Sequence, residues 1–189
     1  MSERVVELVA LVGSLREASI NRQLAQLAAD RAPAGVHVTV VDYLGDLPFY
    51  SEDLDPGSAP DVDLDAGVAR LRGVVGSADG VLVVTPEYNG TIPAALKNAI
   101  DWLSRPYGNG ALQGKPVGVI GAALGRYAGT WSREDTRKSV GIAGGRVIEE
   151  VDFGLQTSAL GENGLADAAI VEPLVAAVAR LATEVAVSV

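Results

Sequence analysis

The middle of the chain reads Val81-Leu-Val-Val-Thr-Pro-Glu-Tyr-Asn-Gly-Thr-Ile-Pro-Ala-Ala-Leu-Lys-Asn-Ala-Ile-Asp-Trp102. Its first four residues form an apolar, mostly β-branched run with no polar face, which is typical of a strand buried on both sides in a parallel sheet. Pro86 cannot continue a central strand, so we predict that the strand ends by Thr85. Pro93 suits the first turn of a helix, where no backbone donor is needed. The stretch therefore predicts a strand, a tight turn and a helix.

The turn between this strand and this helix is a candidate binding loop. Asn89 and Gly90 form a strong turn signal because both tolerate a positive φ. The turn would lie at the carboxyl end of a central strand, which is the edge where open α/β sheets bind ligands. We expect the backbone amides there to be free of the sheet and able to donate to a flat heteroaromatic ring: Glu87, Tyr88, Asn89 and Gly90. Taken alone, the stretch is equally compatible with a hairpin-like surface loop that binds nothing.

Composition narrows the class of protein. The 189 residues suit one domain with a full core, so we assign residues 1–189 to a single domain. The net charge of -9 argues against a nucleic-acid or anionic-membrane partner, and no apolar run reaches the roughly 20 residues of a membrane span. There is no cysteine, which excludes disulfides and thiolate metal sites, and we expect no bound metal. Because the amino terminus lacks a signal-peptide core, we expect a cytoplasmic protein.

Strand and helix patterns alternate five times along the chain, which implies right-handed crossovers and a parallel sheet. Apolar runs predict five strands: Val5–Val12, Val36–Val41, Val81–Val84, Pro116–Gly121 and Arg146–Val151. Helical spacing predicts five helices: from about Leu24 to Pro33, Leu64–Val75, Pro93–Trp102, Thr130–Val140 with Thr130 as its cap, and Leu165 onward. The remaining long segments, Asp42–Pro60 and Phe153–Gly164, are expected to be irregular. We predict a flavodoxin-like, three-layer α/β sandwich with a five-stranded parallel sheet in the order 2-1-3-4-5.

In this strand order the loops after strands one, three and four meet at one edge of the sheet. The first of them, Gly13 to Asn21, has the composition of a phosphate site. Ser14 and Ser19 offer hydroxyl donors, Arg16 can add a charge-assisted hydrogen bond, and the start of a helix favours anions. An ordinary Ser/Asn capping turn is the alternative explanation. The loop matches neither G-x-G-x-x-G nor the P-loop pattern, which disfavours a dinucleotide-binding Rossmann domain and an NTPase.

Two motifs together resemble the NADPH-dependent FMN reductase family: Gly13–Asn21 and Pro86–Trp102. A third segment, Leu47–Asp53, is similar to the family's loop after strand two, and the resemblance spans about Val5 to Val151. It implies a flavodoxin-like fold, bound FMN, NADPH or NADH as the hydride donor, and a small-molecule electron acceptor such as a flavin, a quinone, an azo dye or chromate. It also implies a homodimer or homotetramer, with the Pro93 helix near the interface.

The resemblance also implies a set of cofactor-binding residues. Those that would hold the FMN phosphate are Ser14, Arg16, Ser19 and Asn21. Those that would line the isoalloxazine are Pro86, Glu87, Tyr88, Asn89 and Gly90, with Ala122 and Gly125 of the loop Gly121–Gly129 on the other side of the ring. The family usually has Ser or Thr early in this third loop, whereas this chain has Ala122 and Ala123, followed by Trp131. No catalytic side chain is expected, because the flavin carries the hydride chemistry.

Several readings stay open at this point. FMN could be the prosthetic group of a quinone or azo-dye reductase, or the chain could be a non-enzymatic, flavodoxin-like electron carrier. The aromatic residues Phe49, Tyr50 and Trp102 could be exposed at a subunit interface or packed within one subunit. Glu87 could orient its own loop or pair with a base, and Arg126 is a candidate contact for the phosphates of NADPH.

Overall fold

The structure is a computed structural model, and it describes residues 4–187. It contains one five-stranded parallel sheet in the order β2-β1-β3-β4-β5, which confirms the predicted order. The strands are β1 (Val6–Val12), β2 (Val36–Val41), β3 (Gly80–Thr85), β4 (Pro116–Ala123) and β5 (Arg146–Gln156). The helices are α1 (Ile20–Asp30), α2 (Ala66–Ser77), α3 (Ala94–Leu103), α4 (Thr130–Ile142) and α5 (Ala168–Val187).

The helices cover both faces of the sheet, which makes three layers. Alternate residues of β3 point to opposite faces, as the period of a strand requires. Val81 and Val83 pack with α2, α3 and α4. Leu82 and Val84 pack with α1 and α5 on the other face. Every residue of β3 is buried, which explains why the run Val81–Val84 has no polar position.

Strand β5 is longer than predicted, and residues 153–156 belong to it rather than to an irregular segment. The step from Val117 to Val119 on β4 is matched by the step from Val147 to Asp152 on β5, so three extra residues bulge out of β5. The Arg137 guanidinium donates to the carbonyls of Val119 (3.1 Å) and Val151 (3.3 Å) beside this break. A buried arginine therefore satisfies the backbone where the ladder is interrupted, and pairing resumes beyond it.

Other helix boundaries differ from prediction for local reasons. Helix α4 is capped by Gly129 in a left-handed conformation, whereas the Thr130 hydroxyl donates backward to the carbonyl of Tyr127 (2.6 Å). Pro93 is the residue before helix α3 rather than its first residue. Helix α5 begins at Ala168, three residues later than predicted.

Two of the three aromatic residues discussed above pack within the subunit. Trp102 is fully buried, and its indole donates to the carbonyl of Pro48 (2.8 Å). Tyr50 meets Trp102 edge-on at 5.0 Å between ring centroids. Of the two alternatives left open, packing within one subunit therefore holds for Trp102 and Tyr50, whereas Phe49 is 78% exposed.

Two negative findings apply to the described part of the chain. No helix among residues 4–187 is long and apolar enough to cross a bilayer. Within the same residues, no group of three or more His, Cys, Asp or Glu side chains is arranged to hold a metal ion.

Candidate functional site

A cleft of about 320 Å³ opens at the carboxyl edge of the sheet, between the loops that follow β1, β3 and β4. Eight of the eleven predicted site residues line it: Ser14, Arg16, Ser19, Asn21, Pro86, Glu87, Tyr88 and Ala122. The other three predicted residues, Asn89, Gly90 and Gly125, lie outside this lining. A cleft of this size is within the range of small-ligand sites, which is about 300–1,000 Å³. The strand order thus brings together side chains that are about 100 residues apart.

The loop after β1 presents unused hydrogen-bond donors to the cleft. Ser14 is 1% exposed, and its hydroxyl has no hydrogen-bond partner among the described residues. The backbone amides of residues 14–18 likewise donate to no other described group. Ser19 is the N-cap of α1, and its hydroxyl oxygen accepts from the Asn21 amide (3.2 Å), which leaves the hydroxyl hydrogen to donate elsewhere. Such a set of amides and hydroxyls before a helix suits an anion.

Arg16 supplies the positive charge of this loop. Its side chain is exposed, and in residues 4–187 it has neither an acidic partner nor another hydrogen bond. An arginine held in an ion pair would have to break that pair to bind an anion, whereas Arg16 has none to break.

Asn21 has a different role in this structure from the predicted phosphate contact. Its side-chain amide donates to the carbonyl of Ala122 (2.9 Å) and accepts from the Ala122 amide (2.8 Å). Asn21 is 4% exposed, so these bonds are shielded from water. The side chain therefore fixes the start of α1 to the end of β4, across the floor of the cleft.

The loop after β3 contains the predicted tight turn. Asn89 (φ 52°) and Gly90 (φ 73°) both have positive φ, and Tyr88 pairs with Thr91 across them. This geometry is that of a two-residue type I′ turn, which explains the Asn-Gly sequence. The Tyr88 amide was predicted to be free, but it donates to the Thr91 carbonyl (3.4 Å). The amides of Asn89 and Gly90 have no acceptor in the part of the chain that the structure describes.

A buried polar network holds this loop against α4. The hydroxyls of Thr85 and Ser132 are 2.9 Å apart, and Ser132 also donates to the carbonyl of Pro86 (2.8 Å). Glu87 accepts from the Ser132 amide (3.1 Å). Gly129 has no side chain to cap α4, and Glu87 provides that cap from another loop. Glu87 thus orients its own loop, while Lys97 pairs with Asp101 instead (2.6 Å).

Close approach of the loops requires glycine at two positions. A Cβ on Gly121 would overlap the backbone carbonyl oxygen of Thr85, where β4 and β3 are paired. A Cβ on Gly13 would lie 3.1 Å from Leu96 and 3.2 Å from Pro86. The two glycines therefore set how narrow the cleft can be.

Comparison with known proteins agrees with this geometry. Residues 6–159 match the family described as NADPH-dependent FMN reductase. The chain belongs to this family. A quinone reductase from Pseudomonas putida is 39% identical over 137 residues, which are 72% of this chain and 70% of that protein. An NAD(P)H-dependent FMN reductase from Pseudomonas aeruginosa is 37% identical over 122 residues, 65% of this chain and 62% of that protein.

A solved structure extends the likeness to almost the whole chain. It is that of FerB, a flavoenzyme NAD(P)H:(acceptor) oxidoreductase from Paracoccus denitrificans. The TM-score is 0.82 at 29% identity, over 96% of this chain and 97% of that chain. Membership of the FMN reductase family confirms the predicted enzyme class, with FMN and NAD(P)H as its cofactors. It disfavours the non-enzymatic electron carrier.

Sequence reasoning missed some of the residues around the cleft of this FMN reductase. Thr157 lines the cleft from the segment after β5, and Leu124 lines it from the loop after β4. Thr157 was missed because β5 was predicted to end at Val151, five residues before its actual end at Gln156. Leu124 lies within the predicted loop Gly121–Gly129, but it was not chosen as a site residue because a leucine side chain offers no hydrogen bond to a ligand; it is 74% exposed.

An ion-pair cluster between α4 and β5 supports the loop after β4, Gly121–Gly129. Arg133 and Arg137, both nearly buried on α4, bind the carboxylate of Asp152 at 2.9 Å and 2.6 Å. Partial burial alone would raise the pKa of Asp152, but the hydrogen bond from Arg137 and the charges of both arginines outweigh it and hold the pKa below its usual value. Arg133 also donates to the carbonyl of Ala128 (2.5 Å) and so fixes the loop before α4.

Proposed function

We propose that this chain is an NAD(P)H-dependent reductase that binds FMN in the cleft at the carboxyl edge of its sheet and passes electrons to a quinone. The observation that carries the assignment is a set of donors on the β1–α1 loop, beside Arg16, that have no partners within residues 4–187, in a chain of this family. We also propose that residues 1–189 form a single domain, as the sequence predicts.

The phosphate of FMN would bind to the loop after β1. Ser14, Ser19 and Arg16 would hold it directly, together with the free amides of residues 14–18. Asn21 would act as a positioning residue, because both ends of its amide are engaged by Ala122. This chemistry fits the group: the amides and the Ser14 and Ser19 hydroxyls belong to a loop that is already folded, so little reorganisation of the backbone would be required, and Arg16 could add its charge.

The flavin ring would lie against the loops after β3 and β4. Pro86, Glu87 and Tyr88 would border one side, with Asn89 and Gly90 offering free amides, while Ala122 and Gly125 would border the other. When bound, FMN would supply the redox chemistry, which is hydride acceptance from nicotinamide and electron delivery to the acceptor. The chain's own residues bind and orient the ring, and no side chain is required as a proton donor or nucleophile.

A quinone is the acceptor that the relatives favour. The Pseudomonas putida relative is named a quinone reductase, and several others of about 40% identity carry the same name. The apolar and aromatic residues at the mouth of the cleft, such as Tyr88 and Leu124, suit a flat, weakly polar acceptor better than a charged one. Free FMN and azo dyes are the competing acceptors.

We also propose that the protein is a cytoplasmic homodimer, or a dimer of dimers, that associates through α3 and α4. An open, largely apolar groove of about 530 Å³ runs between these helices, and Ile142 on its border is 80% exposed. Lysines and an aspartate line the same groove, so the surface carries both signs of charge and suits a second copy. Sedimentation of the wild type beside Ile142→Glu tests this, with a shift to the monomer expected in the variant.

The first test of function is the visible absorbance of the purified protein with FMN, before and after anaerobic addition of NADPH. We expect a bound-flavin spectrum that bleaches on addition and recovers when a benzoquinone is added. A bound flavin that stays oxidised would indicate an electron carrier. Absence of flavin binding would contradict the assignment of the cleft.

A further inference from the structure

Two exposed aromatic rings stand beside the cleft on the polypeptide that follows β4. Tyr127 and Trp131 are each 47% exposed, and their ring centroids are 4.9 Å apart with the planes inclined by 53°. A Cβ on Gly90 would lie 3.9 Å from Cε3 of Trp131, so the pair borders the turn next to the cleft. We refer to Tyr127 and Trp131 as the aromatic ledge. Large aromatic side chains that are half exposed next to a cleft are typical of a surface that binds a ligand.

A single arginine lies on the ledge. The Arg126 guanidinium is 4.6 Å from the centroid of the Tyr127 ring and hydrogen-bonds to the Tyr127 hydroxyl. It is exposed, and no acidic side chain in residues 4–187 pairs with it. Stacking on Tyr127 orients the guanidinium but leaves most of its donors unused, and such a fork is well suited to a phosphate group.

The backbone between Tyr127 and Trp131 is conformationally restrained. Ala128 (φ 51°) and Gly129 (φ 76°) are consecutive left-handed residues, a conformation that is costly for alanine. The carbonyl of Ala128 accepts from Arg133, which is only 7% exposed and is itself bound to Asp152. The rings are therefore presented by a rigid support, and binding to them would not have to order a loose loop.

We propose that the aromatic ledge and Arg126 bind the adenosine 2′-phosphate half of NADPH, with the adenine on the rings and the 2′-phosphate at Arg126. This inference rests on the proposed function, in which the nicotinamide reaches a flavin in the cleft. Contacts connect the three side chains to the turn after β3: Trp131 lies near Gly90, Tyr127 contacts Trp131, and Arg126 lies over the Tyr127 ring. In NADPH the adenine and the 2′-phosphate are attached to the same ribose, so an adenine on the ledge would bring the 2′-phosphate near an arginine that lies over one of its rings.

The proposal accounts for both features of the surface. An aromatic side chain can stack on any base, because every base has a flat π-face. An arginine is what proteins use to accommodate the 2′-phosphate that distinguishes NADPH from NADH. The ledge would therefore bind both dinucleotides, and Arg126 would make the enzyme prefer NADPH.

Tryptophan fluorescence tests the binding without any turnover. The sequence has two tryptophans, and Trp102 is fully buried, so quenching by an added nucleotide reports on Trp131. We expect adenosine 2′,5′-bisphosphate to quench the emission of the wild-type protein and to leave that of Trp131→Phe unchanged. In Arg126→Ala the dissociation constant of this probe should rise about tenfold, as expected for one charge-assisted contact, while that of 5′-AMP should change little. Arg31→Ala, which removes an exposed arginine from the far end of α1, is the matched control and should behave as wild type.

Kinetics with the two donors separate this inference from the proposed function. Arg126→Ala should raise KM for NADPH about tenfold and leave KM for NADH unchanged, with kcat retained for both. Two results would overturn the assignment of the ledge even if the wild-type flavin bleaches normally. One is an equal change in KM for NADPH and NADH in Arg126→Ala. The other is quenching of the tryptophan emission by a quinone but not by the nucleotide. Failure of the wild-type flavin to bleach with either donor would instead overturn the proposed function.

Discussion

Replacing Arg16 by alanine should weaken FMN binding about 10- to 30-fold. The change removes one charge-assisted contact to phosphate, and hydrogen bonds to charged groups contribute about 1.5–3 kcal/mol. Because Arg16 is exposed and has no ion-pair partner in the described part of the chain, the lower part of that range applies, about 1.5–2 kcal/mol. A difference of about 1.4 kcal/mol corresponds to a factor of ten in affinity. The fold should be unaffected, since the side chain makes no hydrogen bond within the described residues.

Riboflavin gives this prediction its sharpest assay, because it has the same ring as FMN but no phosphate. Flavin fluorescence titrations of both ligands, with wild type and Arg16→Ala, form a cycle in which only the FMN affinity of the variant should fall. Arg31→Ala makes the same change in net charge at the opposite end of α1, and it should bind FMN like wild type. The loss should also shrink as salt concentration rises, since part of it is electrostatic.

The cycle also defines the results that refute the reasoning. Equal losses for FMN and riboflavin would mean that Arg16 supports the ring site or the loop rather than the phosphate. An unchanged FMN affinity would remove Arg16 from the site altogether. Losses of the same size in Arg31→Ala would show that overall charge, rather than a local contact, controls affinity.

Three further substitutions test the framework around the cleft. Asn21→Ala leaves buried backbone groups of β4 without partners, at about 1–3 kcal/mol each, so thermal denaturation should show a Tm lower by about 5–15 °C together with weaker FMN binding; an unchanged Tm would contradict the role of the amide. Asp152 has a lowered pKa, so the stability it adds is present above about pH 4 and is lost as pH falls through the pKa of the folded state. In urea, Asp152→Asn should therefore unfold more easily than wild type at neutral pH and lose less stability than wild type below about pH 4. Parallel pH profiles of the two proteins would refute this. Gly121→Ala places a methyl group on the Thr85 carbonyl and should lower Tm strongly, whereas Gly125→Ala, which has open space, should not; equal Tm values would show that the strands can separate at no cost.

Much of this fold was accessible from the sequence because it depends on local, repeated patterns. The run at β3 is apolar at every position, which is required only of a strand covered on both faces, and the structure buries all of it. The Asn89–Gly90 pair predicted positive φ, which both residues have. The βα alternation and the handedness of its crossovers predicted a parallel sheet, and the order 2-1-3-4-5 was the flavodoxin-like order expected for five strands. The meeting of the three loops at one edge then followed from that order alone.

Contacts between distant segments were decided only by the tertiary structure. The extension of β5 depends on a guanidinium from α4 that satisfies the backbone at the register break, and no local pattern in β5 predicts this. Trp102 is buried because the loop after β2 supplies an acceptor for its indole, about 50 residues away in sequence. The role of Asn21 changed for the same reason, since its amide meets Ala122 across 101 positions. A sequence states which groups are available, whereas packing determines which of them are already paired with each other and which are left for a ligand.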